Sequence, residues 1–158
     1  RRLLGQKVGP EPRIEDKAQW AFMAWEDWAK KVALKPLLIE QTVFSLQHGY
    51  AGTVDLLAEV EGILTLVDFK TGKAIYQEAH LQNVAYQVAL AEMGHGPADG
   101  GMIVRLPKVE TDPDFEPVAV PAVRELFPTF LAVKAVWEWW HAGEVAYQQR
   151  REEAKAAP

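Results

Sequence analysis

Two aspartates and a lysine have the types and spacing for hydrolytic chemistry: Asp55 in one β-rich run, Asp68 and Lys70 in the next. Glu61-Gly62 separates the runs and suits a two-residue hairpin turn, with glycine supplying positive φ. If Val60 faces Ile63, Asp55 comes directly opposite Asp68 and Thr53 opposite Lys70. Strand alternation then puts Asp55, Asp68 and Lys70 on one face, with Val54, Leu56, Val67 and Phe69 on the other as the core face. Carboxylates paired across strands have Cβ atoms about 4.5–5.5 Å apart, and like charges there are destabilising. A divalent cation is the natural compensation, since Mg²⁺ takes one or two carboxylates plus waters and phosphate oxygens. Lys70 on the same face can help position or deprotonate an attacking water and stabilise charge developing on a phosphate. That is the chemistry of phosphodiester hydrolysis. The bland alternative is a solvated salt-bridge cluster, against which Leu57 and Leu66 flank the acids and partly cover them.

The surrounding sequence supplies the elements that must hold these groups. Residues 5–16, polar and carrying two prolines, read as a loop or an arm lying on the domain. From Lys17 to Leu34, Trp20, Ala24, Trp28 and Val32 recur near the helical period, and Pro36 is the expected stop. Leu37–Leu46, Ala51–Val60 and Ile63–Lys70 read as three strands of a meander. Gln77–Met93 is the clearest helix, closed by Gly94 and Gly96. Strands are expected at Gly101–Leu106 and Phe115–Val120, then a helix over Pro121–Arg150, with residues 151–158 fraying. This αβββαβ(β)α order predicts an α/β layer fold with a mixed sheet.

With 158 residues, 49% hydrophobic and 25% charged, the chain suits one domain with a real core. No apolar run approaches the roughly 18 residues of a membrane span, so no membrane partner is expected. The net charge of −5 argues against extensive phosphate binding. The absence of cysteine excludes disulfides, thiolate zinc sites and iron–sulfur clusters and accords with a cytoplasmic protein. The chain opens on Arg1-Arg2-Leu3-Leu4 without a signal peptide, and an upstream segment is expected to precede it. Organellar import stays open.

Three motifs in order now carry a resemblance: Ala51-Gly52-Thr53-Val54-Asp55, then Asp68-Phe69-Lys70-Thr71-Gly72-Lys73, then Gln82-Asn83-Val84-Ala85-Tyr86. They resemble the PD-(D/E)XK nuclease superfamily, and within it the RecB-like branch with its G-x-x-D, D-x-K-T and Q-x-x-x-Y motifs. The resemblance covers roughly residues 37–106. It implies a restriction-endonuclease-like core, Mg²⁺ or Mn²⁺ held by Asp55, Asp68 and the Phe69 carbonyl, and Lys70 as the catalytic lysine. Gln82 and Tyr86, at i and i+4 on one helix face, are implied to lean over the metal site and contact DNA. The activity implied is a deoxyribonuclease, an exonuclease of replication, recombination or repair acting on linear DNA ends or single strands. The alternatives are a nuclease acting on RNA and a non-catalytic nucleic-acid-binding or assembly module that keeps the fold. The missing cysteines point to cluster-free exonucleases of phage and mitochondrial genome-maintenance type. Many RecB-like nucleases carry a metal-binding His on an upstream helix, whereas here only His48 precedes Asp55, too closely. Either that histidine lies before Arg1 or this member manages without it; Glu40 is the substitute to test, against a plain role as a strand-edge acid.

Thr71-Gly72-Lys73 ends like a P-loop, but Val67 stands at the first glycine position and Ala74 after the lysine, so that motif fails. Thr71 and Lys73 either touch a DNA phosphate or form a turn. His48, His80, His95 and His141 lack zinc-ligand spacing; only His80, near the start of the Gln82/Tyr86 helix, has a position from which to face substrate. The six tryptophans fall in the first and last helices. Core packing is the commoner use, base stacking or a subunit contact the others. The sequence leaves the oligomeric state open.

Overall fold

The computed structural model describes residues 16–108, 112 and 115–156. The arm expected at residues 5–15 lies outside them. Helix α1 (Asp16–Lys31) leads into strands β1 (Lys35–Ser45), β2 (Tyr50–Val60) and β3 (Ile63–Thr71). Helix α2 (Gln77–Glu92), strands β4 (Gly100–Leu106) and β5 (Glu116–Val120) and helix α3 (Val123–Ala156) follow. The five strands form one mixed sheet in the order β1-β2-β3-β4-β5, with β3 and β4 parallel and the other neighbours antiparallel. This is the α/β layer architecture with a mixed sheet and flanking helices that the element order predicts.

Both faces of the sheet are covered, which is why β2 and β3 are apolar on both sides. On the α1 face, Trp28 and Val32 pack with Leu56, Ala58, Val60, Val67 and Val104. On the α2 face, Ala89 and Leu90 pack with Val43, Val54, Leu57 and Leu66. Helix α3 packs beside α2 and is anchored by Phe130, which meets Tyr50 edge-on at 5.0 Å.

Three details depart from the sequence reading. Pro36 does not end α1. The helix closes at Lys31, where Ala33 turns left-handed (φ 47) and Leu34 N–H donates to the Ala29 carbonyl, the C-terminal geometry that satisfies orphan carbonyls; Pro36 is the second residue of β1. Helix α3 begins at Val123 and continues past Arg150 to Ala156. Val54 lies with Leu57 on the α2 face while Leu56 lies on the α1 face. Alternation therefore slips by one residue near Asp55. Opposite this point in β1, between the pairs Ile39/Leu56 and Gln41/Val54, Glu40 is left-handed (φ 49) while the register continues unbroken across it.

The hairpin reading holds. Val60 pairs with Ile63, and Glu61 and Gly62 have φ of 52° and 84°, the two positive values that a type I′ turn requires. Asparagine takes this conformation more readily than glutamate, so Glu61→Asn is expected to stabilise the fold by about 1 kcal/mol, read as a higher urea midpoint at unchanged m-value.

Candidate active site

The ladder between β2 and β3 runs from Val60/Ile63 to Leu56/Val67 and stops. Asp55 and Asp68 therefore do not face each other as a backbone pair, nor does Thr53 face Lys70, as the spacing had suggested. Instead the Asp55 carboxylate takes the place of a backbone acceptor: its Oδ2 accepts the Phe69 N–H at 2.8 Å. The strands split at this point, and the split is where the candidate residues gather. Asp55 Oδ1 has no partner among the described residues.

Asp68 is 5% exposed. Its Oδ2 is sealed from solvent, with the Lys70 ammonium 2.6 Å away as an ion-pair partner and no hydrogen-bond donor aligned on it among the described residues. Burial pushes the Asp68 carboxyl above its ordinary range; Lys70 opposes this, and Asp55 adds to the rise. The site thus holds a carboxylate that is destabilised as an anion and short of partners, a condition a bound cation relieves.

Lys70 leads to α2. Its Nζ donates to Gln82 Oε1 at 2.8 Å, and Gln82 Nε2 donates to the Tyr86 hydroxyl at 3.0 Å. The Tyr86 ring then lies against Gly52 so closely that a Cβ at Gly52 would overlap its Cε1, Cζ and hydroxyl. The glycine of G-x-x-D is therefore a seat for the tyrosine of Q-x-x-x-Y. One chain of contacts, Asp68–Lys70–Gln82–Tyr86–Gly52, joins all three motifs.

The neighbouring face of α2 does the positioning, and it was not legible in the sequence. Asn83, fully buried, donates from Nδ2 to the carbonyls of Leu66 and Met102 at 3.2 and 3.3 Å, bridging β3 and β4, while its Oδ1 accepts Gln87 Nε2 at 2.8 Å. Gly101 leaves room for this pair, since a Cβ there would strike both side chains. Arg105, beside Lys70 in the β3/β4 register, is 3% exposed; its Nε donates to Glu116 at 3.0 Å and its guanidinium reaches the Gly72 carbonyl at 3.5 Å. It holds the turn that follows the active strand. Two polar residues at buried helix positions, Asn83 and Gln87, were the available signal.

The other candidates are less involved. Thr71 and Lys73 are exposed at and beyond the end of β3. Glu40 is exposed on β1. Among the described residues no three histidine or acidic side chains converge as metal ligands, so Glu40 does not complete a set with Asp55 and Asp68. His80 is half-buried, its Nδ1 without a partner among the described residues, and His48 packs edge-on against Phe127 at 5.0 Å. Trp28 is core and Trp25 half-buried against it, whereas Trp137, Trp139 and Trp140 are exposed.

Fold and site together define a class: an α/β layer protein whose split hairpin presents two carboxylates and a lysine. A family model described as the PD-(D/E)XK nuclease superfamily matches residues 6–154, and the chain belongs to that superfamily. No curated protein matches it. Members of the superfamily are nucleases that generally use divalent metals, so phosphodiester hydrolysis of nucleic acid is the supported chemistry. The residues present fit such a metal: two carboxylates offer hard oxygen donors of the kind Mg²⁺ accepts, and the buried Asp68 Oδ2 has the Lys70 ammonium beside it but no aligned hydrogen bond among the described residues. No helix among the described residues is long and apolar enough to cross a membrane.

Proposed function

We propose that this protein is a metal-dependent deoxyribonuclease of the RecB-like branch, acting as an exonuclease on DNA ends. The observation that carries the reading is the contact chain from Asp68 through Lys70 and Gln82 to Tyr86, because it couples the Q-x-x-x-Y motif of that branch to the acid and lysine of the reaction. Asp55 and Asp68 are the metal ligands. Phe69 supports them: its N–H points to Asp55, and in an extended strand a residue's N–H and C=O leave from the same edge, so its carbonyl is offered on the side of the split. Bound Mg²⁺ or Mn²⁺ supplies Lewis acidity, activating water and neutralising phosphate charge. Lys70 stabilises the charge developing on the phosphate. Gln82 accepts a hydrogen bond from Lys70 Nζ and so aims the ammonium, holding it beside Asp68 as an ion-pair partner and toward substrate. Thr71 and Lys73, exposed at and just past the end of β3, contact the DNA backbone. With net charge −5, binding outside the site is weak and falls steeply with salt.

The test is digestion of end-labelled linear single- and double-stranded DNA, closed circular DNA and RNA, each with Mg²⁺, Mn²⁺ or EDTA. Linear DNA is expected to be degraded only with metal, while circles survive. Cutting of circles would remove the exonuclease assignment. Degradation confined to RNA would move the substrate class, and inertness throughout would leave a binding module on a nuclease fold.

A further inference from the structure

Every described residue from Ala135 to Glu153 is exposed except the half-buried Ala146. The outer half of α3 therefore stands clear of the domain, where α-helix is costly to maintain: isolated helices of about 12–15 residues are marginal in water. This one also carries β-branched Val136 and Val145, and Gly143, which costs about 1 kcal/mol relative to alanine. It nevertheless presents Trp137, Trp139 and Trp140 at 62%, 74% and 62% exposure. Such a segment gains its stability from a partner.

The spacing states what kind of partner. Val133, Val136, Trp140, Gly143 and Tyr147 recur three and four residues apart, the seam by which one helix packs along another. At Gly143 the seam opens into a groove of about 540 Å³ flanked by Trp139, Trp140 and Tyr147, and a Cβ there would meet nothing. The charges identify the partner further. Lys134, Arg150, Arg151 and Lys155 are balanced by Glu138, Glu144, Glu152 and Glu153, and several are engaged within the helix: Lys134 with Glu138, Lys155 with Glu152, Glu144 with the Trp140 indole, Arg151 over Tyr147. A balanced face has no cationic excess to draw phosphates, which counts against base stacking, and it does not repel its own copy although the chain is acidic.

We propose that the outer half of α3 is a self-association surface, pairing antiparallel with the same segment of a second copy. A two-fold axis between His141 and Ala142 sets Trp140 over Gly143 and Val136 against Tyr147, bulky side chains into the notch and small against large. The exposed parts of Trp140, Tyr147, Val133 and Val136 on the seam, with Trp137 and Trp139 flanking it on either side, amount to at most roughly 700 Å², from side-chain areas of about 150–250 Å² per aromatic. That approaches the roughly 800 Å² per partner of a standard interface.

The test is the mass of the whole chain by light scattering and sedimentation over a concentration series, in EDTA and without nucleic acid, so the outcome is independent of nuclease activity. A dimer is expected, with tryptophan emission shifting to the blue as it forms. Trp140→Ser should weaken it at least tenfold. Gly143→Leu should also leave a monomer, while its helix content by circular dichroism is kept or raised because leucine is the better helix former, separating loss of the interface from loss of the helix. A chain monomeric at all concentrations, a dimer that both variants leave intact, or quenching of these tryptophans by single-stranded DNA on a monomer would each overturn the proposal.

Discussion

Asp68→Asn is expected to abolish metal-dependent cleavage, by about 10³-fold or more, while making the metal-free protein more stable at neutral pH. The loss follows from removing the charge of one of the two carboxylates that the described residues bring to the split. The gain follows from burial, which holds the folded-state pKa of Asp68 above that of the unfolded chain, with Asp55 adding to the rise and Lys70 only opposing it. Between those two values the folded state binds more protons than the unfolded state, so stability falls as pH rises. The contribution of Asp68 is at its most favourable below the ordinary aspartate range and is lost as pH climbs through the raised value. At pH 7 to 8 the ionised side chain is therefore a cost, and the neutral amide removes it. Thermal denaturation in EDTA should place the melting temperature of Asp68→Asn above that of the parent, by about 2–4 °C for each kcal/mol in a chain of this size, with the gap closing as pH is lowered. Adding Mg²⁺ should stabilise the parent and not the variant. Lys70→Ala should be equally inactive but less stable, since it strips the one cation from the buried acid. If Asp68→Asn proves both inactive and destabilised, the Asp68–Lys70 pair is an ordinary structural ion pair and the strain argument fails.

The same cost explains what the sequence showed and what it hid. Strand limits and the β2/β3 register were readable from alternation and from Glu61-Gly62, because both are local: one residue's face fixes the next. The point where pairing stops was not readable. It depends on Asp55 reaching past its own strand to the Phe69 N–H, a contact between strands that the spacing does not announce. The three motifs announced which residues matter, and their order suited one site, yet the reason Gly52 is glycine lies thirty-four positions away in Tyr86. Asn83 and Gln87 read as ordinary polar helix residues until β3 and β4 supply the carbonyls that Asn83 bridges. Tryptophan type alone did not separate Trp28 in the core from Trp140 in solvent, since both helices are rich in apolar residues and only the length of α3 beyond the sheet decides.

Gly52→Ala tests that long-range dependence. No left-handed backbone requires glycine here: Gly52 sits within β2 and is not among the positive-φ residues. Alanine at such a position would ordinarily stabilise, by about 0.4–1 kcal/mol, through the unfolded chain. The Cβ, however, falls on the Tyr86 ring, and Gly52 is held in the β1/β2 ladder opposite Val43, so the ring must move. Moving it withdraws the hydroxyl from Gln82 Nε2 and frees Gln82 to leave Lys70. Activity is expected to drop about 10- to 100-fold, about 1.4 to 2.7 kcal/mol of transition-state stabilisation, with metal affinity unchanged because Asp55 and Asp68 are untouched. Tyr86→Ala breaks the same chain from its other end and empties the space that the Cβ needs. In that background Gly52→Ala should cost nothing further in activity and should recover the small stability gain of an unhindered substitution. The cycle would then show a coupling of about 1–3 kcal/mol, as expected for residues in direct contact. Additive effects would mean that Gly52 serves something other than the seat of Tyr86, and that the Q-x-x-x-Y helix reaches Lys70 by a route other than this contact.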